Sequence, residues 1–222
     1  MSNTAEEQNL AISGFYQIAG FPGVLGAIDC THIKIQSPGG EYAERFRNRK
    51  GYFSVNVQAV CNAKLKIQNI IARWPGSVHD STIFNDSALK VDFESGLYGN
   101  GYLLGDNGYP CKRYILTPYL NPASPSQRAY NRAQIATRNP VERLFGVIKR
   151  RFPCLSIGFR CRLERALAIV VACCVLHNIA IAQGDIIEDF NVDLPEELEA
   201  PIVDVDDDSS VRTALVNTVF AV

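Results

Sequence analysis

Val24-Leu25-Gly26-Ala27-Ile28-Asp29-Cys30-Thr31-His32-Ile33-Lys34-Ile35 is the stretch on which the reading of this 222-residue chain turns. Val24 to Ile28 is an unbroken run of small and apolar residues, the pattern of a strand covered on both faces. From Asp29 onward polar and apolar residues alternate, so His32 and Lys34 face one way and Ile33 and Ile35 the other. An aspartate placed where a buried strand turns amphipathic is costly to desolvate unless something binds it. Asp29 is therefore either tied to a neighbouring amide or arginine, or it is a functional carboxylate.

Sequence on either side builds a sheet around this strand. Residues 1–20 read as a helical lead-in, and Phe21-Pro22-Gly23 as the turn that launches the strand. Ser37-Pro38-Gly39-Gly40 ends it, and a polar connector from Glu41 to Lys50 carries Arg45, Arg47, Arg49 and Lys50. Tyr52 to Val60 predicts a second strand, Asn62-Ala63-Lys64 a tight turn, and Leu65 to Arg73 a third strand. Trp74-Pro75-Gly76-Ser77 closes the meander. Ser77 with Asp80 three residues later predicts a helix start leading into residues 81–93. Tyr102 to Asp106 reads as a short strand ending in an aspartate, and Tyr114 to Thr117 as a fifth strand.

Helices follow. One is predicted from about Ser126 to Thr137. Asn139-Pro140 then reads as the cap and first residue of a new helix. Val141, Leu144, Phe145, Ile148 and Phe152 form its core-facing stripe. Leu163 to Gln183 is apolar nearly all round and predicts a largely buried helix. With His177 and Asn178 inside, it does not read as a membrane span. The order predicts an α/β fold with a mixed sheet flanked by helices. The expected organisation is a lead-in over 1–20, one folded domain over 21–183, and an acidic tail over 184–222 that lacks structure.

Composition narrows the function classes. Hydrophobic residues make up 47% of the chain, enough for one sizeable core. The polar, acidic start lacks the features of a secretory signal. Seven cysteines without a C-x-x-C pair predict free, buried thiols in a reducing compartment and argue against a zinc site. Residues 1–183 hold 21 Lys+Arg against 12 Asp+Glu, whereas residues 184–222 hold 1 against 11. A basic body suits a nucleic-acid partner.

Asp29 and Asp106 on neighbouring strands, with Glu142 on a helix that must cover the sheet, form an all-oxygen donor set. Such a set selects Mg²⁺ or Mn²⁺. Two such ions, about 3.5–4 Å apart, can activate a water and stabilise the leaving oxygen of a phosphodiester. Crowded carboxylates repel one another unless cations compensate them.

Gly26-Ala27-Ile28-Asp29-Cys30-Thr31-His32-Ile33, Trp74-Pro75-Gly76-Ser77-Val78-His79-Asp80-Ser81, Leu104-Gly105-Asp106-Asn107-Gly108-Tyr109 and the stretch from Val141 to Phe152 resemble motifs of the Harbinger (PIF-like) DDE transposases and the nucleases derived from them. Ala172 to Ile179 is similar to that family's closing helix. The resemblance runs over about residues 20–183 with the motifs in order. It implies a ribonuclease-H-like fold and a DDE catalytic domain over 21–183. It also implies a catalytic triad of Asp29, Asp106 and Glu142 holding divalent cations (Mg²⁺ or Mn²⁺), with Asp80 as a fourth metal ligand and His79 as a weaker candidate behind it. The implied chemistry is hydrolysis of DNA phosphodiesters, with strand transfer as a variant, in the nucleus and also the cytoplasm.

Basic residues beside this edge, Lys149, Arg150 and Arg151 after Glu142 and Arg47, Arg49 and Lys50 after the first strand, are the expected DNA contacts. His32, on the face opposite Asp29, and His177, inside an apolar helix, read as structural. Family members carry a longer helical region before the first catalytic strand, and some rely on a Myb-like partner. Only about twenty residues precede that strand here, which puts independent recognition of a DNA site in question. Oligomerisation is a further expectation. The alternative function is a domesticated, catalytically silent DNA-binding or chromatin adaptor.

Overall fold

The computed structural model describes Met1, residues 4–185 and residues 210–222. Helix α1 (Ala5–Ala19), capped by Thr4, leads into the long strand β1 (Val24–Lys34). Strands β2 (Ser54–Cys61) and β3 (Ile67–Pro75) complete an antiparallel meander. Helices α2 (Asp80–Asn85) and α3 (Ala88–Glu94) precede β4 (Tyr102–Leu104) and β5 (Ile115–Leu116). Helices α4 (Pro125–Arg151), α5 (Cys154–Ile157), α6 (Leu163–Ala182) and α7 (Ser210–Thr218) follow. The sheet order is β3-β2-β1-β4-β5, with β4 parallel to β1 and β5 parallel to β4. This is the mixed α/β sheet flanked by helices expected of a ribonuclease-H-like fold.

Two apolar layers hold the sheet. On one face Phe15, Ala27, Ile33, Val57, Leu104, Tyr130, Val141 and Leu144 join α1 and α4 to the strands. On the other Ile28, Val60, Leu103 and Ile115 pack under Phe84, Leu89 and Phe93 of α2 and α3. β2 is buried along its whole length because both layers cover it. All seven cysteines are free thiols, as their spacing predicts, but Cys154 and Cys161 are only half-buried.

Several sequence expectations are corrected. The helix break at Asn139-Pro140 does not exist: α4 runs unbroken through Pro140. Its start is Ser124, whose hydroxyl accepts from the Gln127 amide at 3.1 Å while Pro125 takes the first position. Pro140 removes one backbone hydrogen bond, and burial of its ring with Val141, Leu144 and Ile148 offsets that loss. The helix expected over 81–93 is two helices. Ser77 does not cap it; His79 precedes α2 without a side-chain bond, and Ser87 caps α3 by accepting from the Lys90 amide.

α6 is not largely buried. Among the described residues it meets β3 and α4 on one side, leaving Val175, Leu176 and Ile179 more than half exposed on the other. It is long and apolar enough to cross a membrane by length and composition. Two polar residues nonetheless fix it on the sheet. His177 Nε2 lies 2.9 Å from the Leu65 carbonyl, and the Asn178 amide both donates to and accepts from the Ile67 backbone at 2.8 Å. His177 is thus structural, as expected. In the tail, residues 186–209, including Asp206 to Asp208, lie outside the described residues, and 210–218 form α7 against α4.

Gly76 explains the Trp-Pro-Gly-Ser motif. A methyl group there would meet Ser54 Oγ at 2.2 Å and the backbone oxygens of Phe46 and Ser54 at 2.8 Å. The Gly76 amide also donates to the Ser54 carbonyl at 2.9 Å, which locks β3 to β2 four residues before Asp80. Gly76→Ala is expected to cost about 2 kcal/mol, read from the urea unfolding midpoint.

Candidate active site

β1 and β4 run parallel and their last paired residues are Ala27 and Leu104. Two residues further along each chain stand Asp29 and Asp106, so the topology brings both aspartates to one level of the sheet. β4 stops at Leu104, and the chain turns immediately. Asp106 Oδ1 accepts from the Gly108 amide at 2.9 Å, which fixes its carboxylate. Tyr109 anchors the turn, buried edge-on to Phe84 with its hydroxyl 3.4 Å from Cys30 Sγ.

Asp80 arrives from the opposite layer, as the first residue of α2. Its Oδ1 accepts from the Asn56 amide of β2 at 2.8 Å. A methyl group at Gly108 would lie 3.0 Å from Asp106 Oδ1 and 3.6 Å from Asp80 Oδ2, so the two carboxylates flank the same glycine. His79 is exposed and makes no capping bond.

Glu142 lies mid-helix on α4, not in the first turn that its spacing from Asn139 suggested. Its side chain is 45% exposed. It is linked to Asp29 through a residue the sequence reading missed, Arg138. Arg138 Nη1 donates to Asp29 Oδ2 at 3.1 Å, and its Nη2 donates to Glu142 Oε1. The signal for it was the i, i+4 pairing of arginine and glutamate. That pairing was hidden by the helix break expected at Asn139-Pro140.

The electrostatics follow from crowding. Burial raises the Asp29 carboxyl well above the usual carboxylate range, Asp106 and Asp80 raise it further, and Arg138 pulls it back. Burial disfavours charge on Arg138, but Asp29, Glu142 and Asp106 more than offset this and hold its pKa above the ordinary value. The donor set is all oxygen and suits Mg²⁺ or Mn²⁺. Among the described residues no three acidic, His or Cys side chains are yet grouped closely enough to hold one ion. Asp29 and Glu142 are engaged by Arg138 instead.

The expected basic residues divide into two groups. Lys149, three turns beyond Arg138 on α4, donates to Thr31 Oγ1 at 2.6 Å, two residues from Asp29. Lys149, Arg49 and Lys50 all reach His32 electrostatically: after burial, they are what lower its pKa to about 4, leaving it neutral. His32 Nδ1 lies 3.1 Å from Ser54 Oγ, on the face away from Arg138. The two basic segments thus meet around His32, three residues along β1 from Asp29. Arg150 is exposed. Arg47 instead bonds Glu44 and the Gly51 carbonyl at 2.7 Å and lies over Phe53, so it shapes its own loop. Arg151 bonds Asp185.

A family model described as DDE superfamily endonuclease matches residues 28–178. Human HARBI1, provisionally named a nuclease, is 37% identical over 174 residues, covering 77% of this chain and 49% of the relative. An Arabidopsis thaliana ALP1-like protein is 31% identical over 192 residues, covering 78% and 47%. The Arabidopsis protein named antagonist of like heterochromatin protein 1 is 26% identical over 192 residues, covering 80% and 48%. The chain spans about half the length of these curated relatives. No solved structure matches it.

Proposed function

Since the chain belongs to the DDE superfamily endonucleases, the family of its Harbinger-derived HARBI1 relatives, we propose that it is a divalent-metal-dependent DNA endonuclease acting at Asp29, Asp106 and Glu142. The observation that carries this reading is the arrival of Asp29 and Asp106 at one level of two parallel strands, with α2 bringing Asp80 and α4 bringing Glu142 to that edge.

Asp29, Asp80, Asp106 and Glu142 would hold two Mg²⁺ or Mn²⁺ ions, which supply Lewis acidity to activate a water and stabilise the leaving oxygen. The chain's own residues prepare for this. The Gly108 amide and the Asn56 side chain orient Asp106 and Asp80. Lys149, Arg49 and Lys50 offer positive charge to the phosphate backbone without reading bases, with Arg150 beside them. Arg47 and Arg151, occupied within the fold, contribute less. Strand transfer, a Myb-like targeting partner, self-association and a nuclear site of action belong to the same reading.

A second reading, a silent DNA-binding or chromatin adaptor, is favoured by one observation: Arg138 engages two of the four carboxylates. The name of the 26% identical plant relative points the same way. Supercoiled plasmid separates the two. The nuclease nicks it with Mn²⁺, stops in EDTA, and fails as Asp106→Asn. Equal plasmid conversion by wild type and variant would remove the nuclease reading. RNA and hybrid substrates run alongside define the substrate class.

A further inference from the structure

Arg138 is a cation shared between two of the clustered carboxylates. Its side chain is 12% exposed, that of Asp29 13%, and its two terminal nitrogens are divided between Asp29 and Glu142. It lies one turn before Glu142 on the same helix, so α4 fixes its reach. The Gly108 N–H donates to Asp106, and Asn56 Nδ2 donates to Asp80. Among the described residues, the positive charge bonded directly to Asp29 is thus organic and covalently attached to the chain. It offsets the repulsion of Asp106 and Asp80 just as a bound divalent ion would.

We propose that Arg138 is a resident counterion that competes with the divalent metal: it holds Asp29 and Glu142 together in the metal-free protein and must release both for ions to bind. The inference rests on the metal-site reading above and adds a sign to it. An arginine that merely supports the site would weaken metal binding when removed. A competing arginine tightens it, because two carboxylates are freed and a repelling charge is lost. Metal and arginine also become interchangeable for stability, so a variant without the arginine depends more on metal. Arg138 is a positioning residue: it touches the carboxylates, not the scissile bond.

The test titrates Mn²⁺ calorimetrically into the full chain as wild type, Arg138→Gln and Arg138→Lys, and melts each in EDTA and in Mn²⁺. Arg138→Gln is expected to bind Mn²⁺ on the order of tenfold more tightly. It should melt below wild type in EDTA and recover the difference in Mn²⁺. Arg138→Lys keeps the charge but not the forked donors, and should fall between. Arg138→Gln that folds only with Mn²⁺ also supports the proposal. If it folds under neither condition, Arg138→Lys decides: tighter binding than wild type supports competition, and equal or weaker binding overturns it. A folded Arg138→Gln with equal or weaker affinity and an unchanged Mn²⁺-induced rise in melting temperature overturns the proposal and leaves the metal site standing. Absence of Mn²⁺ binding in every protein would remove both.

Discussion

Asp106→Asn is expected to raise the melting temperature of the metal-free protein while abolishing metal-dependent cleavage; Asp29→Ala is expected to abolish cleavage while lowering it. For cleavage, each change removes one carboxyl group from the donor set. The expected loss is about 10³-fold or more, which corresponds to about 4 kcal/mol of transition-state stabilisation. Stability separates the two. Asp106 raises the pKa of Asp29 by repulsion, and asparagine can still accept the Gly108 amide bond, so Asp106→Asn relieves strain at little structural expense. A gain of about 1 kcal/mol, a few degrees in melting temperature, follows. Asp29→Ala instead strips a partner from the buried Arg138 and leaves its charge to the half-exposed Glu142. A loss of about 2 kcal/mol follows. Melting in EDTA beside single-turnover cleavage reads both effects, and stability shifts of the same sign would contradict this account.

Deleting residues 210–222 is expected to cost about 4 kcal/mol, a large share of a typical domain's stability, read from denaturant unfolding. α7 is not an appendage. Phe220 packs on Phe21 at 5.3 Å and Tyr130 at 5.7 Å between ring centroids, and Val216 is buried. Arg212 lies 4.2 Å over the Tyr119 ring and donates to the carbonyls of Thr117 and Pro118. Truncation exposes Phe21 and Tyr130, the aromatic centre that joins β1 to α4. An unchanged unfolding midpoint would show that α7 contributes nothing to the fold.

What the sequence disclosed and what it hid have physical reasons. The strands were legible because their period of two is local, and Asp29 and Asp106 because each ends an apolar run, Asp29 within its strand and Asp106 at a turn. Arg138 was not. Pro140 read as a helix start, which separated Arg138 from Glu142, although burial of α4 outweighs the one hydrogen bond that a proline removes. α6 was misjudged because an all-apolar pattern cannot say which faces a fold covers. α7 was missed because eleven acidic residues in the last 39 masked a short apolar stripe of Val211, Leu215, Val216 and Phe220. The basic residues could be listed from sequence, but only the folded chain separates Arg47, spent on its own loop, from Lys149, set beside Thr31.

Crystals grown with Mn²⁺ and measured at the manganese absorption edge test the central claim most directly. The account predicts anomalous peaks coordinated by oxygens of Asp29 and Asp106, with Glu142 turned from Arg138 toward them. Full Mn²⁺ saturation with no peak at these carboxylates, and Arg138 still bridging Asp29 and Glu142, would contradict it.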